Sequence, residues 1–176
     1  PSIPSKMAYI PSIKAVIIGC FDGAVYLYSA TQQQTLLLQL TLTPSTVKDI
    51  HVRNPFAIVD IASTANEVHV LSAQGLFSAP LASLLTKPQF THTPCAGTPT
   101  LLLATATDVF TAAPSQPLLT SRSGAKVDLP AAPLALAATP RAALILTPAG
   151  LYALAAQPKR VAALPALSAP LTAAYI

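Results

Sequence analysis

The chain has no tryptophan, two cysteines and six acidic side chains in 176 residues. Each shortage removes a class of protein. Cys20 and Cys95 are too few to staple a small secreted domain. Cys20 lies in an apolar strand pattern and is expected to act as a small core residue. Charged residues make up 9% of the chain, against roughly a quarter in soluble domains. Much of the surface is therefore expected to lie against a partner or against further chain. The ten basic residues give a net charge of +4 but are scattered, the tightest pair being Lys159-Arg160. A nucleic-acid groove needs a concentrated basic face, so no nucleic-acid partner is expected.

Long uninterrupted apolar runs are missing too. Residues 129–156 come nearest, but Pro130, Pro133, Pro140, Arg141 and Pro148 break them. A spanning helix needs about 20 apolar residues in a row, so no direct membrane insertion is expected. No secretory signal is recognised, and Pro1 in place of Met leads to the expectation of a piece of a longer chain.

Catalytic and metal-binding patterns are equally sparse. A metal site needs clustered ligands. His51 with His69, and His92 with Cys95, are the nearest candidates, and neither pair has two further ligands close in sequence. Acid–base catalysis needs positioned carboxylates or a tuned histidine. Asp22, Asp49, Asp60, Glu67, Asp108 and Asp128 form no recognisable pair. The stretch "SRSGAK" (121–126) matches neither a nucleophile elbow nor a phosphate loop and reads as a turn. "TQQQT" (31–35) reads as a polar loop. No catalytic, cofactor-binding or metal residue is nominated, and no cofactor is expected.

What the chain does have is 52% hydrophobic residues, and they are arranged. "AVIIGCFDGAVYLYSA" (15–30) is an apolar stretch, an Asp-Gly turn and a second apolar stretch. Similar units turn near 65–66, 107–108 and 149–150, each 42 or 43 residues after the one before. The Asp-Gly pair suits a type I′ hairpin. After each turn comes Val25-Tyr26, Val68-His69, Val109-Phe110 or Leu151-Tyr152. Ahead of each hairpin "MAYIP", "IHVRNP", "CAGTP" and "LAATP" end in Pro11, Pro55, Pro99 and Pro140. Proline suits a turn between strands rather than a central strand. "TLLLQLTLT" (35–43), "LFSAPL" (76–81), "PLLTSR" (117–122) and "KRVAAL" (159–164) supply a fourth segment.

Each repeat thus offers four short strands, with the hairpin as the second and third. Ala and Leu in the last two repeats favour helix on propensity alone, but the prolines and the spacing point to strands. Strands that are apolar on both faces belong between stacked sheets. Four strands per unit at this period describe an all-β architecture of β-propeller blades. The blades are expected near 1–43, 44–86, 87–131 and 132–170, with "PLTAAYI" opening a fifth. The set is about four blades of a propeller that commonly has seven, the rest coming from the same parent chain; a closed four-blade form is the alternative. The expected core is Val16, Ile18, Val25, Leu27, Ile58, Val68, Val70, Leu102, Val109, Leu144, Ile145 and Tyr152.

The pattern resembles the WD40-like propeller superfamily over essentially the whole chain, without its Trp or Gly-His pair. "MAYIPSIKAVIIGCFDGAVYLYSA" is similar to citron-homology propellers of vacuolar and endosomal tethering subunits. Clathrin-like and coat-protein propellers stand as the alternative resemblance. The resemblance implies a non-catalytic, cytoplasmic scaffold in a multi-subunit assembly, membrane-associated through that complex. Its partners would be other proteins, such as small GTPases or complex subunits. Two other readings stand beside it: a propeller enzyme with a central-channel site, which would gather His, Asp, Glu or Arg at the blade mouths, and a secreted structural or adhesive repeat protein.

Overall fold

The computed structural model describes residues 2–30, 34–40, 56–95, 97–139, 142–154 and 158–162. The first sheet holds β1 (Pro4–Ile10), β2 (Ala15–Cys20), β3 (Ala24–Ser29) and β4 (Thr35–Gln39). The second holds β5 (Ile58–Ser63), β6 (Glu67–Ser72), β7 (Gly75–Pro80) and β8 (Thr91–Thr93). The third is β9 (Leu101–Ala104), β10 (Val109–Ala112), β11 (Leu118–Ser121) and β12 (Lys126–Asp128). The fourth is β13 (Ala135–Ala138), β14 (Ala143–Thr147), β15 (Gly150–Ala153) and β16 (Lys159–Ala162). Strands pair antiparallel in chain order within every sheet. The first strands touch in sequence, β1 on β5, β5 on β9 and β9 on β13. That is the stacking of propeller blades, inner strand against inner strand.

All four expected hairpins form, but two of them have a different place in the sheet. The turns at 22–23 and 149–150 join second and third strands, as expected. Those at 65–66 and 107–108 join first and second strands instead. "LFSAPL" and "PLLTSR" are accordingly third strands, and the fourth strands are β8 and β12, which the sequence reading passed over. The second sheet therefore reaches Thr93, past the boundary expected at residue 86. "CAGTP" leads into β9 without forming a strand among its described residues. "IHVRNP", His51, Pro55, Pro140 and "PLTAAYI" lie outside the described residues.

The turns explain the offset. After β5, Thr64 N–H and Oγ1 both reach Glu67 O (2.9 and 3.4 Å), and Oγ1 accepts from Glu67 N–H (3.0 Å). Thr105 closes on Asp108 in the same way, and Thr139 on Ala142. A threonine ends the first strand in three of the four sheets. The second-to-third turns of the second and fourth sheets carry another signature, Leu71-Ser-Ala-Gln-Gly-Leu-Phe77 and Leu146-Thr-Pro-Ala-Gly-Leu-Tyr152. Gly75 and Gly150 take φ of 135° and 144° there, a backbone region nearly closed to other residues. In the first sheet Gly23 N–H bonds to Cys20 O at 3.2 Å and Gly23 has φ 84°. Asp22 does not have positive φ, so this is a type I turn closed by a left-handed glycine rather than the expected type I′. Asp22 Oδ1 accepts from Ala24 N–H at 3.1 Å and fixes the turn.

Nine of the twelve expected core residues are buried; Val16, Ile18 and Leu144 are half-buried. Ala15, Ile17 and Gly19 face the second sheet, while Val16 and Ile18 face away from it. The second sheet is covered on both faces: Val68, Val70 and Ala79 meet the first sheet, and Leu71 and Leu76 meet Leu102 and Val109 of the third. Ala112 and Leu119 of the third sheet meet Ile145 and Tyr152 of the fourth.

The first two sheets approach each other closely at Gly19. A Cβ there would overlap Ile58 Cγ2 and lie 2.6 Å from Ile58 Cβ, while Ser5 Oγ donates to Ile58 O at 2.6 Å beside it. Gly19→Ala is expected to cost about 1–3 kcal/mol, as overpacking does. A lowered urea midpoint with unchanged slope would register it; an unchanged midpoint would mean the sheets have room to part.

Candidate functional site

Three turns converge where the second and third sheets meet. The Thr64–Glu67 turn comes from the second, and the Thr105–Asp108 turn and the turn after β11 from the third. Between them lies a cleft of about 680 Å³. The "SRSGAK" stretch is a turn, as read from the sequence: Ser121 Oγ accepts from Ser123 and Ala125 N–H at 3.1 and 3.2 Å. Gly124, at φ 91°, completes it. This turn aims Arg122 back across the cleft, where Nη1 donates to Glu67 Oε2 at 2.7 Å. Both side chains keep about a third of their surface in solvent, so the pair fixes geometry more than it adds stability.

Behind Glu67 lies His69, fully buried between the two sheets. Its Nδ1 is 2.9 Å from Ser78 Oγ, and its Nε2 has no hydrogen-bond partner. Glu67 Oε2 is 3.9 Å from that nitrogen, beyond hydrogen-bond reach. Burial drives the His69 pKa down from 6.5 to about 4; the Glu67 carboxylate opposes the shift and Arg122 adds to it. The ring is neutral at pH 7. The tautomer with hydrogen on Nε2 fits best, since it turns an N–H toward the carboxylate and lets Nδ1 accept from the Ser78 hydroxyl.

A serine beside a histidine beside a glutamate has the makings of a nucleophile relay. Here Ser78 is itself buried, at 2% exposure, and a base near 4 is far from the pH where it would be useful. The trio is a packed polar cluster within the second sheet, His69 and Ser78 being cross-strand partners on β6 and β7.

Asp60, on the inner strand β5, ties three sheets together. Its Oδ2 accepts from Leu102 N–H of the third sheet and its Oδ1 from Ile61 N–H, both at 3.0 Å. Lys6 Nζ of the first sheet is 3.9 Å away. Burial raises the Asp60 pKa, against the pull of the Leu102 N–H, Lys6 and the Ile61 N–H. Lys6 and Asp60 are the only charged residues on β1, β5, β9 and β13.

The remaining candidates disperse. His92 stacks on Phe77 with centroids 4.7 Å apart, and its Nε2 is 2.8 Å from Gln74 O. Cys95 Sγ reaches Thr93 O at 3.9 Å, and burial raises its pKa. Cys20 is buried and its pKa is raised by burial and by Asp22, in keeping with a core role. The Ser2 hydroxyl holds the Asp22 carboxyl below its usual range. Among the described residues no three His, Cys, Asp or Glu side chains come together, and no helix is long and apolar enough to cross a membrane.

No protein-family model and no curated protein sequence matches the chain. Solved structures do. The WD40 domain of Neurospora crassa Pan2 is similar with a TM-score of 0.57 and 11% identity, over 94% of this chain and 49% of that one. The extracellular domain of a putative one-component system from B. thetaiotaomicron gives 0.59 and 12%, over 95% of this chain and 22% of that one. BBS1N, solved in complex with ARL6DN, gives 0.54 and 13%, over 85% of this chain and 48% of that one. The chain spans about half of the Pan2 and BBS1N chains and about a fifth of the bacterial one. The fold is that of β-propeller blades.

Proposed function

We propose that this chain is a non-catalytic propeller segment that binds other proteins, with the turn cleft around Glu67, Asp108 and Arg122 as its contact surface. The observation that carries the reading is the cleft itself. Its cation is held in place by Glu67, short hydroxyl side chains surround it, and the one serine–histidine pair beside it is sealed from solvent. A central-channel enzyme would gather charged groups on the inner strands, and the two charged residues on the described inner strands, Lys6 and Asp60, face each other. Rigid loop-lined surfaces of this kind suit protein recognition, and function is argued from such sites rather than from the fold.

BBS1N was solved bound to ARL6DN, and the first repeat is similar to propellers of tethering subunits. Both support placing this chain in a cytoplasmic assembly of the membrane-trafficking type, with a small GTPase or a complex subunit as partner. The test is Arg122→Glu. Losing one exposed ion pair costs up to about 1 kcal/mol, so the fold persists, while the cleft gains a third carboxylate beside Glu67 and Asp108. Cross-linking mass spectrometry in cells should recover partners on the wild-type cleft residues and lose at least about nine-tenths of that recovery with the variant, about 1.4 kcal/mol of binding. Equal recovery from both proteins would move the contact surface elsewhere. Turnover of any substrate, abolished by changes at Lys6 or Asp60, would restore the enzyme reading.

A further inference from the structure

Strands alternate in direction within each sheet, so the first-to-second and third-to-fourth turns all lie at one end of the stack. Among the described residues that end carries five cations, Lys14, Lys87, Arg122, Lys126 and Lys159, against two carboxylates, Glu67 and Asp108. Asp22 and Asp128 stand at the other end, in the β2–β3 turn and opposite Leu118. Charge is thus polarised along the strands, and the turn cleft belongs to the cationic end. A field of that sign draws in anionic partners and disfavours basic ones.

Within the cleft one cation is placed to receive an anion. Among the described residues the Arg122 side chain donates a single hydrogen bond, from Nη1 to Glu67 Oε2 at 2.7 Å. A guanidinium has further N–H donors in a planar fork that matches a carboxylate. Asp108 Oδ1 is engaged on its own strand, accepting from Val109 N–H at 2.7 Å. Behind Glu67, His69 Nε2 is buried without a partner, 3.9 Å from Glu67 Oε2. An N–H left unbonded in such a place is costly. A move of about 1 Å by the Glu67 carboxylate completes that bond. Glu67 therefore has two seats: on Arg122 in the free protein, and on His69 once another anion takes the guanidinium.

We propose that the partner meets this cleft with an acidic protein segment, an Asp or Glu carboxylate taking the Arg122 guanidinium while Glu67 shifts onto His69 Nε2–H. The inference rests on the cleft being the contact surface, and it adds the chemistry of the partner.

Hexaglutamate peptide is the probe, with hexalysine and an oligothymidylate of equal charge as counterparts, in nuclear magnetic resonance titrations near pH 7. The protein is isotope-labelled at its histidine nitrogens; the chain has three histidines, and His69→Gln identifies the His69 signal by its loss. Hexaglutamate should bind and hexalysine should not. The His69 Nε2–H proton should move downfield as hexaglutamate saturates, the mark of a new hydrogen bond to a carboxylate. Arg122→Gln should weaken the peptide at least about tenfold, as loss of a charge-assisted pair does. Lys87→Gln, at the same end but outside the cleft lining, should weaken it less than about threefold, because exposed charges at a distance are screened. No binding of hexaglutamate, equal losses in the two variants, tighter binding of hexalysine or of the oligothymidylate, or a His69 proton that stays in place at saturation overturns the proposal. Cellular cross-links that still fall on the cleft beside such a result would leave the contact surface standing and remove only the acidic partner.

Discussion

Replacing Ile17 by alanine should destabilise the protein by about 2–5 kcal/mol, the range for truncating a buried aliphatic side chain. Replacing Ile18, its neighbour, should cost far less. The two residues have the same chemistry, the same strand and the same hydrogen-bond ladder. They differ only in which face of β2 they occupy. Ile17 is fully buried and packs with Val25, Leu27, Ile58 and Val70 where the first two sheets meet. Ile18 looks the other way, beside Met7 and Tyr26, and keeps part of its surface in solvent. Removing its side chain leaves no closed cavity, so only part of the transfer term is lost. Paired urea titrations measure the difference. Equal losses at low protein concentration would mean that the outward face is covered within a single copy.

The second large effect is an acid transition centred on one histidine. Unfolded, His69 takes up a proton as pH falls through 6.5; folded, it resists until about 4. A base whose folded pKa is lowered contributes stability that is complete above the unfolded value and is lost as pH falls. At ~1.4 kcal/mol per pH unit, the fold should lose roughly 3 kcal/mol between pH 6.5 and 4. Asp60 acts in the opposite sense, because its raised carboxyl pKa favours the fold at low pH and that contribution is lost as pH rises. Comparison with His69→Gln separates the two: the amide can still bond to Ser78 Oγ but does not titrate. Denaturation midpoints at several pH values should fall steeply for the wild type and stay much flatter for the variant. Parallel profiles would show that the ring has access to a proton in the fold.

Much of this protein could be read from its residues, and the limits of that reading are physical. Alternating and β-branched stretches bounded by Gly, Pro and Thr give strands and hairpins through local rules, and all four expected hairpins stand where the sequence puts them. Their roles within the sheets do not follow from local rules. A first-to-second hairpin and a second-to-third hairpin are both apolar, turn, apolar; only the pairing of the next strand tells them apart. The turn chemistry was the available signal. Thr64, Thr105 and Thr139 mark one kind of turn, and the Leu-[Ser/Thr]-x-x-Gly-Leu-aromatic stretches at 71–77 and 146–152 mark the other.

The candidate site was less legible still. Arg122 and Glu67 are 55 residues apart, and nothing local to either announces the other. His69 could be seen in a strand, but its pKa comes from a second sheet laid over it, which no stretch of β6 encodes. The same holds for Ile17 and Ile18. Sequence by itself determined that these are strands, that they are apolar on both sides and that they turn where they do, because those properties depend on neighbours within a few residues. Only the tertiary structure decided which face is core, which histidine is sealed and which arginine meets which glutamate, because desolvation and ion pairing are set by what packs across the gap between sheets.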